Sequence, residues 1–355
     1  MTASPDQARA VREEDAFDVV RVDAFLKQHI DGLEGEPVVK QFPGGASNLT
    51  YLLHYPHRDL VLRRPPRGAK AKSAHDMMRE ARVMSALKAS YPFVPTILAR
   101  CDDDRVIGQD FYVMERLSGT ILRRDLPPEL GLDRDGVRAL CLGFIDRLIQ
   151  LHQVDAQQAG LKELGKGEGY IARQVSGWSE RWRQAPTEGS DPCEDVMTWL
   201  ASHQPSRDNA SGVIHNDFRF DNVVLATDNP LNIIGVLDWE LATIGDPLMD
   251  LGSSLAYWVQ ADDDPVFQSF RRQPTHEAGM LTRREVVEYY GERTGMDVSL
   301  WSFYEVFGLF RLMVIIQQIY RRYALGQTTN PQFAGFGDAA KYMGMRCRRL
   351  IADKG

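Results

Sequence analysis

Three apolar runs follow one another in quick succession: Val38 to Phe42, Leu49 to Tyr55 and Leu60 to Arg64. The links between them are only Pro43-Gly44-Gly45-Ala46-Ser47-Asn48 and Pro56-His57-Arg58-Asp59. Such short links reverse the chain and cannot supply the long crossover of a parallel pair, so the runs predict an antiparallel meander. A short helix, Val22 to Ile30, precedes them. The segment Ser73 to Lys88 follows, with Met77, Ala81, Met84 and Leu87 on one face of a predicted helix. Two more strands are expected at Thr96 to Cys101 and Phe111 to Leu117, separated by a turn at Asp102-Asp103-Asp104.

Beyond Gly119 the pattern turns helical. Val137 to His152 keeps Leu140, Phe144, Leu148 and Leu151 in register, and further helices are predicted at Val196 to His203, Arg283 to Thr294, Trp301 to Leu325 and Phe336 to Asp353. Two short strands, Val223 to Leu225 and Ile233 to Leu237, interrupt them. The expected class is α+β. A flexible tail covers residues 1–15, a sheet-and-helix lobe residues 16–117, and a mostly helical lobe residues 118–355.

Charge narrows the function. Lys+Arg number 42 against 49 Asp+Glu, a net charge of -7, which argues against general nucleic-acid binding. Cys101, Cys141, Cys193 and Cys347 lie far apart, so no zinc-type spacing exists, and scattered thiols fit a reducing cytoplasm. The first fifteen residues contain no apolar core of a signal peptide. The apolar stretch Leu309 to Tyr320 is broken by Arg311, Gln317 and Gln318; it is too short and polar to span a bilayer and reads as a buried helix. The triple-Asp runs at 102–104 and 262–264 read as solvated loops.

The chemistry concentrates between residues 213 and 240. His215, Asp217 and Asn222 form an H-x-D-x-x-x-x-N pattern, and Asp238 ends an apolar strand further on. Phosphoryl transfer from ATP needs one carboxylate to orient and deprotonate the acceptor hydroxyl. It also needs an amide oxygen and a second carboxylate to hold magnesium against the phosphates. Asp217, Asn222 and Asp238 supply that set in the right chain order. A hairpin between residues 223 and 237 would bring Asn222 and Asp238 together at its open end. Taken singly, each of these residues could equally cap a turn.

Together with Leu237-Asp238-Trp239-Glu240 and Gly245-Asp246-Pro247-x-x-Asp250-Leu251, the segment resembles the protein-kinase-like superfamily. More narrowly, it resembles the aminoglycoside phosphotransferase family, which includes choline kinase-like and homoserine kinase-like enzymes. The resemblance runs from about residue 36 to 325 and implies a two-lobed fold with ATP and Mg2+ as cofactors. It assigns Gly44, Gly45, Ser47 and Asn48 to a phosphate-covering turn. Arg63 stands where a lysine is usual, with Glu80 as its helix partner. Arginine keeps the charge but differs in reach and geometry. Phe111 to Leu117 resembles the hinge that receives adenine through backbone groups, at Glu115 to Leu117. Arg219, two residues after Asp217, is placed to neutralise charge at the transferring phosphoryl group, with a surface salt bridge as the alternative. His215, Asp246 and Asp250 read as braces of the loop.

The acceptor is read from what is missing and what is rich. Only nine positions separate Asp238 from Pro247, with no Ala-Pro-Glu segment, so no platform for a protein substrate is expected. A small hydroxylated molecule fits better. The stretch Gly169 to Arg183 offers Tyr170, Arg173, Gln174 and Trp178, arginine-rich with apolar faces, which suits an anionic acceptor with an apolar body. The alternative is a helix packing Trp inward and Arg outward. Its Tyr-x-Ala-Arg-Gln-x-Ser-x-Trp run is similar to the phosphotransferase-like domain fused to acyl-CoA dehydrogenases in animals, which implies a hydroxylated fatty acid or acyl-CoA. Two other readings stay open: a catalytically silent nucleotide-binding protein of the same fold, and an aminoglycoside antibiotic kinase. Neither a nucleic-acid nor a membrane partner is expected.

Overall fold

In the computed structural model, which describes residues 7–43, 48–66, 76–208 and 211–353, the meander forms as expected. Strands β1 (Val38–Gln41), β2 (Leu49–His54), β3 (Asp59–Arg64), β4 (Ile97–Cys101) and β5 (Phe111–Glu115) make one antiparallel sheet in the order β1-β2-β3-β5-β4. Side chains alternate faces along a strand. Leu60 and Leu62 of β3 therefore enter a buried cluster with Val22 and Leu26 of the helix Val19–His29. Arg63, one position on, projects from the other face, where it meets Glu80 of the helix Met77–Leu87. Asp76 caps that helix by accepting the Arg79 N–H at 2.8 Å.

The chain divides into two compact units. One comprises Met1–Ile121, Ala159–Leu161 and Asn222–Ala242; the other comprises Leu122–Gln158, Lys162–Asp221 and Thr243–Gly355. The sheet unit thus extends past residue 117 and takes in the later segment 222–242. Val223–Ala226 and Ile233–Val236 form the expected hairpin, and an unforeseen strand, Gly119–Ile121, pairs with the first of them. Val236 N–H donates to Phe93 C=O at 2.7 Å, tying the hairpin to the rest of this unit.

Some expectations differ from what is observed. Arg9, within the expected tail, exchanges two 2.8 Å backbone hydrogen bonds with Gln41, and Tyr51 donates to Asp15 C=O at 2.8 Å. The open edge of β1 offers this segment its partners. Asp104 begins a short helix, Asp104–Ile107, because Asp103 caps it. Asp263 is not in a solvated loop: its side chain is 4% exposed and paired with Arg283 and Arg346 at 2.6 Å each.

In the second unit the helix Trp301–Ala324 is long and apolar enough to cross a membrane by length and composition, longer than the apolar run alone suggested. In this fold 67% of its most apolar window is buried. It crosses the helix Pro247–Leu255 at very close range. A Cβ on Gly308 would lie 2.1 Å from Gly252 O, and one on Gly252 would lie 2.5 Å from Tyr304 O. Both obstacles are backbone, which cannot swing aside. Gly308→Ala is expected to cost about 1–3 kcal/mol, read by urea denaturation. An unchanged midpoint would show that the two helices separate freely.

Candidate active site

The sheet unit assembles a charge cluster around Arg63, which is 9% exposed. Its Nη1 donates to Glu80 Oε1 at 3.0 Å, and its Nη2 to Asp238 Oδ1 at 3.2 Å. Glu240 Oε2 lies 3.9 Å away and accepts from Asn48 Nδ2 at 2.8 Å. Burial lowers the Arg63 pKa, but the neighbouring Glu80, Asp238 and Glu240 carboxylates outweigh it and raise it above the ordinary arginine value. Burial pushes the Glu80 pKa up, with Arg63 opposing.

The hairpin sets Asn222 opposite Leu237, one residue before Asp238. Val223 pairs with Val236, and Leu237 N–H donates to Asn222 C=O at 2.8 Å. Asp238 follows with φ 68° and ψ 65°, a left-handed conformation that an aspartate holds only under constraint. Asn222 and Asp238 offer hard oxygen donors of the kind Mg2+ takes. Among the described residues no three His, Cys, Asp or Glu side chains form a ready metal cage. Mg2+ is commonly held by one or two carboxylates and completes its shell with water and substrate phosphates.

Glu115, at the end of β5, is committed to the sheet unit. Its carboxylate accepts from Thr96 N–H at 2.6 Å, from Thr96 Oγ1 at 2.7 Å and from Lys88 Nζ at 3.3 Å. Burial would raise its pKa, but these partners outweigh it and lower it. Leu117 closes over Gly235, where a Cβ would meet Leu117 Cδ1 at 2.1 Å. Gly44, Gly45 and Ser47 lie outside the described residues.

The helical unit holds the loop with Asp217. Asp250, fully buried, accepts His215 N–H and Asn216 N–H at 2.7 Å each, one on either oxygen, and His152 Nε2 at 3.1 Å. His152 Nδ1 meets Tyr290 OH at 2.7 Å. Burial would raise the Asp250 pKa; the His152 and His215 contacts outweigh it and lower it. Asp217 N–H donates to His215 Nδ1 at 3.2 Å, and Asn216 between them has φ 66°. Asp246 caps the helix Pro247–Leu255 by accepting Leu248 N–H and Met249 N–H. His215, Asp246 and Asp250 are therefore braces, as the sequence implied.

Arg219 Nε lies 3.2 Å from Asp217 and 3.1 Å from Asp221, and its guanidinium sits 4.7 Å from the Tyr257 ring centroid. Burial raises the pKa of Asp221, a residue that sequence reasoning passed over. On the helix Tyr170–Arg183, Tyr170 OH donates to Asn216 Oδ1 at 3.4 Å, and Trp178 Nε1 donates to Gln174 Oε1 at 3.1 Å. Arg173 does not join them; it is exposed and donates to Gly167 C=O at 2.7 Å. A second missed residue, Arg311, donates to Asn216 C=O at 2.9 Å and stacks 5.2 Å from Trp178. Its signal in the sequence was a charge interrupting the apolar run 309–320.

Residues 38–286 match the family described as "Phosphotransferase enzyme family". The chain is 35% identical over 312 residues to mouse (Mus musculus) acyl-CoA dehydrogenase family member 10, covering 86% of this chain and 29% of that protein. It is 33% identical over 321 residues to human (Homo sapiens) acyl-CoA dehydrogenase family member 11, covering 88% of this chain and 40% of that one. It thus spans well under half the length of these relatives. A crystal structure of a putative aminoglycoside phosphotransferase from Ralstonia eutropha superposes with a TM-score of 0.81 at 30% identity, over 95% of this chain and 99% of that one. The chain belongs to the phosphotransferase enzyme family, with an N-terminal antiparallel sheet and a helical C-terminal region of the protein-kinase-like kind.

Proposed function

We propose that the chain transfers the γ-phosphoryl group of ATP to a hydroxyl of a small molecule. The observation that supports this reading is the hairpin contact of Asn222 with Leu237, the residue before Asp238, together with the Arg63–Glu80 and Arg63–Asp238 contacts. Asn222 and Asp238 hold Mg2+, which when bound neutralises the charge on the transferring phosphate. Arg63 grips phosphate oxygens, and Glu80 keeps it extended. The adenine is met by Glu115 C=O and Leu117 N–H; the latter has no acceptor among the described residues. Asp217, joined to Asn222 by a few residues of chain, takes the proton from the acceptor hydroxyl. Arg219 steadies the developing charge.

The acceptor class is a hydroxylated fatty acid or acyl-CoA. The aromatic and cationic side chains of Trp178 and Arg311 beside the Asp217 loop support it. So does the kinship with proteins named as acyl-CoA dehydrogenases. An aminoglycoside, being a cation, would want acidic walls instead. A silent nucleotide-binding protein is the second reading, favoured by Arg63 in place of lysine. Thermal shift with ATP, with and without Mg2+, followed by ADP release over a panel of hydroxy acids and hydroxyacyl-CoA esters, separates them. A Mg2+-dependent shift with acceptor-dependent ADP release is the expected result. A shift without turnover supports the silent protein, and neither response overturns both.

A further inference from the structure

Arg311 is a buried cation with no counter-ion among the described residues. It is 7% exposed on the otherwise apolar helix Trp301–Ala324. Among the described residues no carboxylate lies within 4.0 Å of it, and its one hydrogen bond is the 2.9 Å contact from Nη2 to Asn216 C=O. A buried guanidinium normally finds a carboxylate, because desolvating a lone charge costs several kcal/mol at least. The Nε and Nη1 atoms make no hydrogen bond, yet neither is sealed from solvent. Two donors of a planar fork thus remain available beside the residue that precedes Asp217.

A second cation shares the same indole. Trp178 has Arg311 5.2 Å from its ring centroid and Arg181 at 4.6 Å. Arg181 is exposed and likewise has no carboxylate within 4.0 Å among the described residues. In a chain of net charge -7, two arginines on one tryptophan, both lacking an acidic partner, make a local positive field. Asn216 C=O occupies one edge of the Arg311 fork and the Trp178 ring flanks it, so the group is held in one orientation. Such a fork matches carboxylate or phosphate oxygens in a paired fashion.

We propose that Arg311, presented by Trp178, is the specificity-determining residue that binds an anionic group, carboxylate or phosphate, on the phosphoryl acceptor. This rests on the phosphotransferase reading above and deepens it. A merely structural brace of Asn216 would support every acceptor equally. An anion receptor discriminates between acceptors that differ in that charge alone.

The test is an equilibrium measurement without ATP, so it stands apart from whether transfer occurs. Binding of a medium-chain hydroxy acid, its CoA ester and the uncharged diol of the same chain length is followed by calorimetry on the full chain. The parent is compared with Arg311→Gln and Arg311→Lys, whose folding is checked by urea denaturation. The parent should prefer the charged ligands over the diol by about tenfold or more, the effect of one hydrogen bond to a charged group. Arg311→Gln should abolish that preference, and Arg311→Lys should keep part of it. The acid and the CoA ester distinguish a carboxylate from a phosphate as the group bound. Equal binding of acid, ester and diol by the parent, an undiminished preference in Arg311→Gln, or no binding of any charged ligand would each overturn the proposal. If ADP release fails while the charge preference stands, the transfer reading falls and the anion site remains.

Discussion

Asp217→Asn lowers turnover by about 10²–10⁴-fold, the worth of a positioned general base, and leaves nucleotide affinity unchanged. Asp217 and Asp221 both contact Arg219, and Asp221 retains its contact when Asp217 becomes an amide. The loop backbone is held independently, by Asp250 on the N–H groups of His215 and Asn216. The change thus removes a proton acceptor and leaves the framework standing. ADP release gives the rate, and calorimetry with ATP and Mg2+ gives the affinity. A fall in affinity matching the fall in rate would mean that Asp217 holds the nucleotide and not the acceptor proton.

Asp250→Ala unfolds more than it inactivates. It leaves the N–H groups of His215 and Asn216 and the Nε2 of His152 without their buried acceptor. Breaking a buried charged network by removing one partner costs about 3–5 kcal/mol. Urea denaturation at neutral pH should show that loss, and a change below about 0.5 kcal/mol, the range of ordinary surface substitutions, would contradict it. Acid offers an independent check. The folded-state pKa of Asp250 is lowered from its ordinary value of 3.8. Its contribution is therefore present above that ordinary value and is lost as pH falls through the folded pKa. Parent stability should drop on acidification below about pH 4 more steeply than that of Asp250→Asn, which has no proton to take up.

These two residues mark what the chain discloses by itself. The approach of Asn222 to the Leu237-Asp238 end was legible because a hairpin of short strands fixes it through nearby residues. The bracing role of Asp246 and Asp250 was implied by the resemblance, and both accept backbone N–H groups. Arg63 and Glu80 were expected as partners from the family resemblance, and the structure joins them at 3.0 Å. Arg311 was not legible, because it meets Asn216 across 95 positions and reads locally as a flaw in an apolar helix. Asp263 was taken for a solvated loop for the same reason: its arginines arrive from two distant helices. The helix Pro247–Leu255 is buried along its whole length and so shows no polar face to count, although Asp246-Pro247 is a start signal. The strands Gly119–Ile121, Gly212–Ile214 and Thr243–Gly245 are three residues each, too short for alternation to show.

The sheet unit draws on three stretches of chain, with the distant Asn222–Ala242 supplying its last hairpin. On a ribosome the five-stranded sheet therefore emerges long before the unit's final hairpin. At about 5–20 residues per second, the gap between Ile121 and Ala242 takes roughly 6–24 s to translate. During that interval Leu117 lacks Gly235 beneath it, Phe93 C=O lacks the Val236 N–H, and Arg63 lacks Asp238. The nascent sheet must survive with its ionic anchor half made, and a stop codon before residue 222 would release a domain that cannot finish itself.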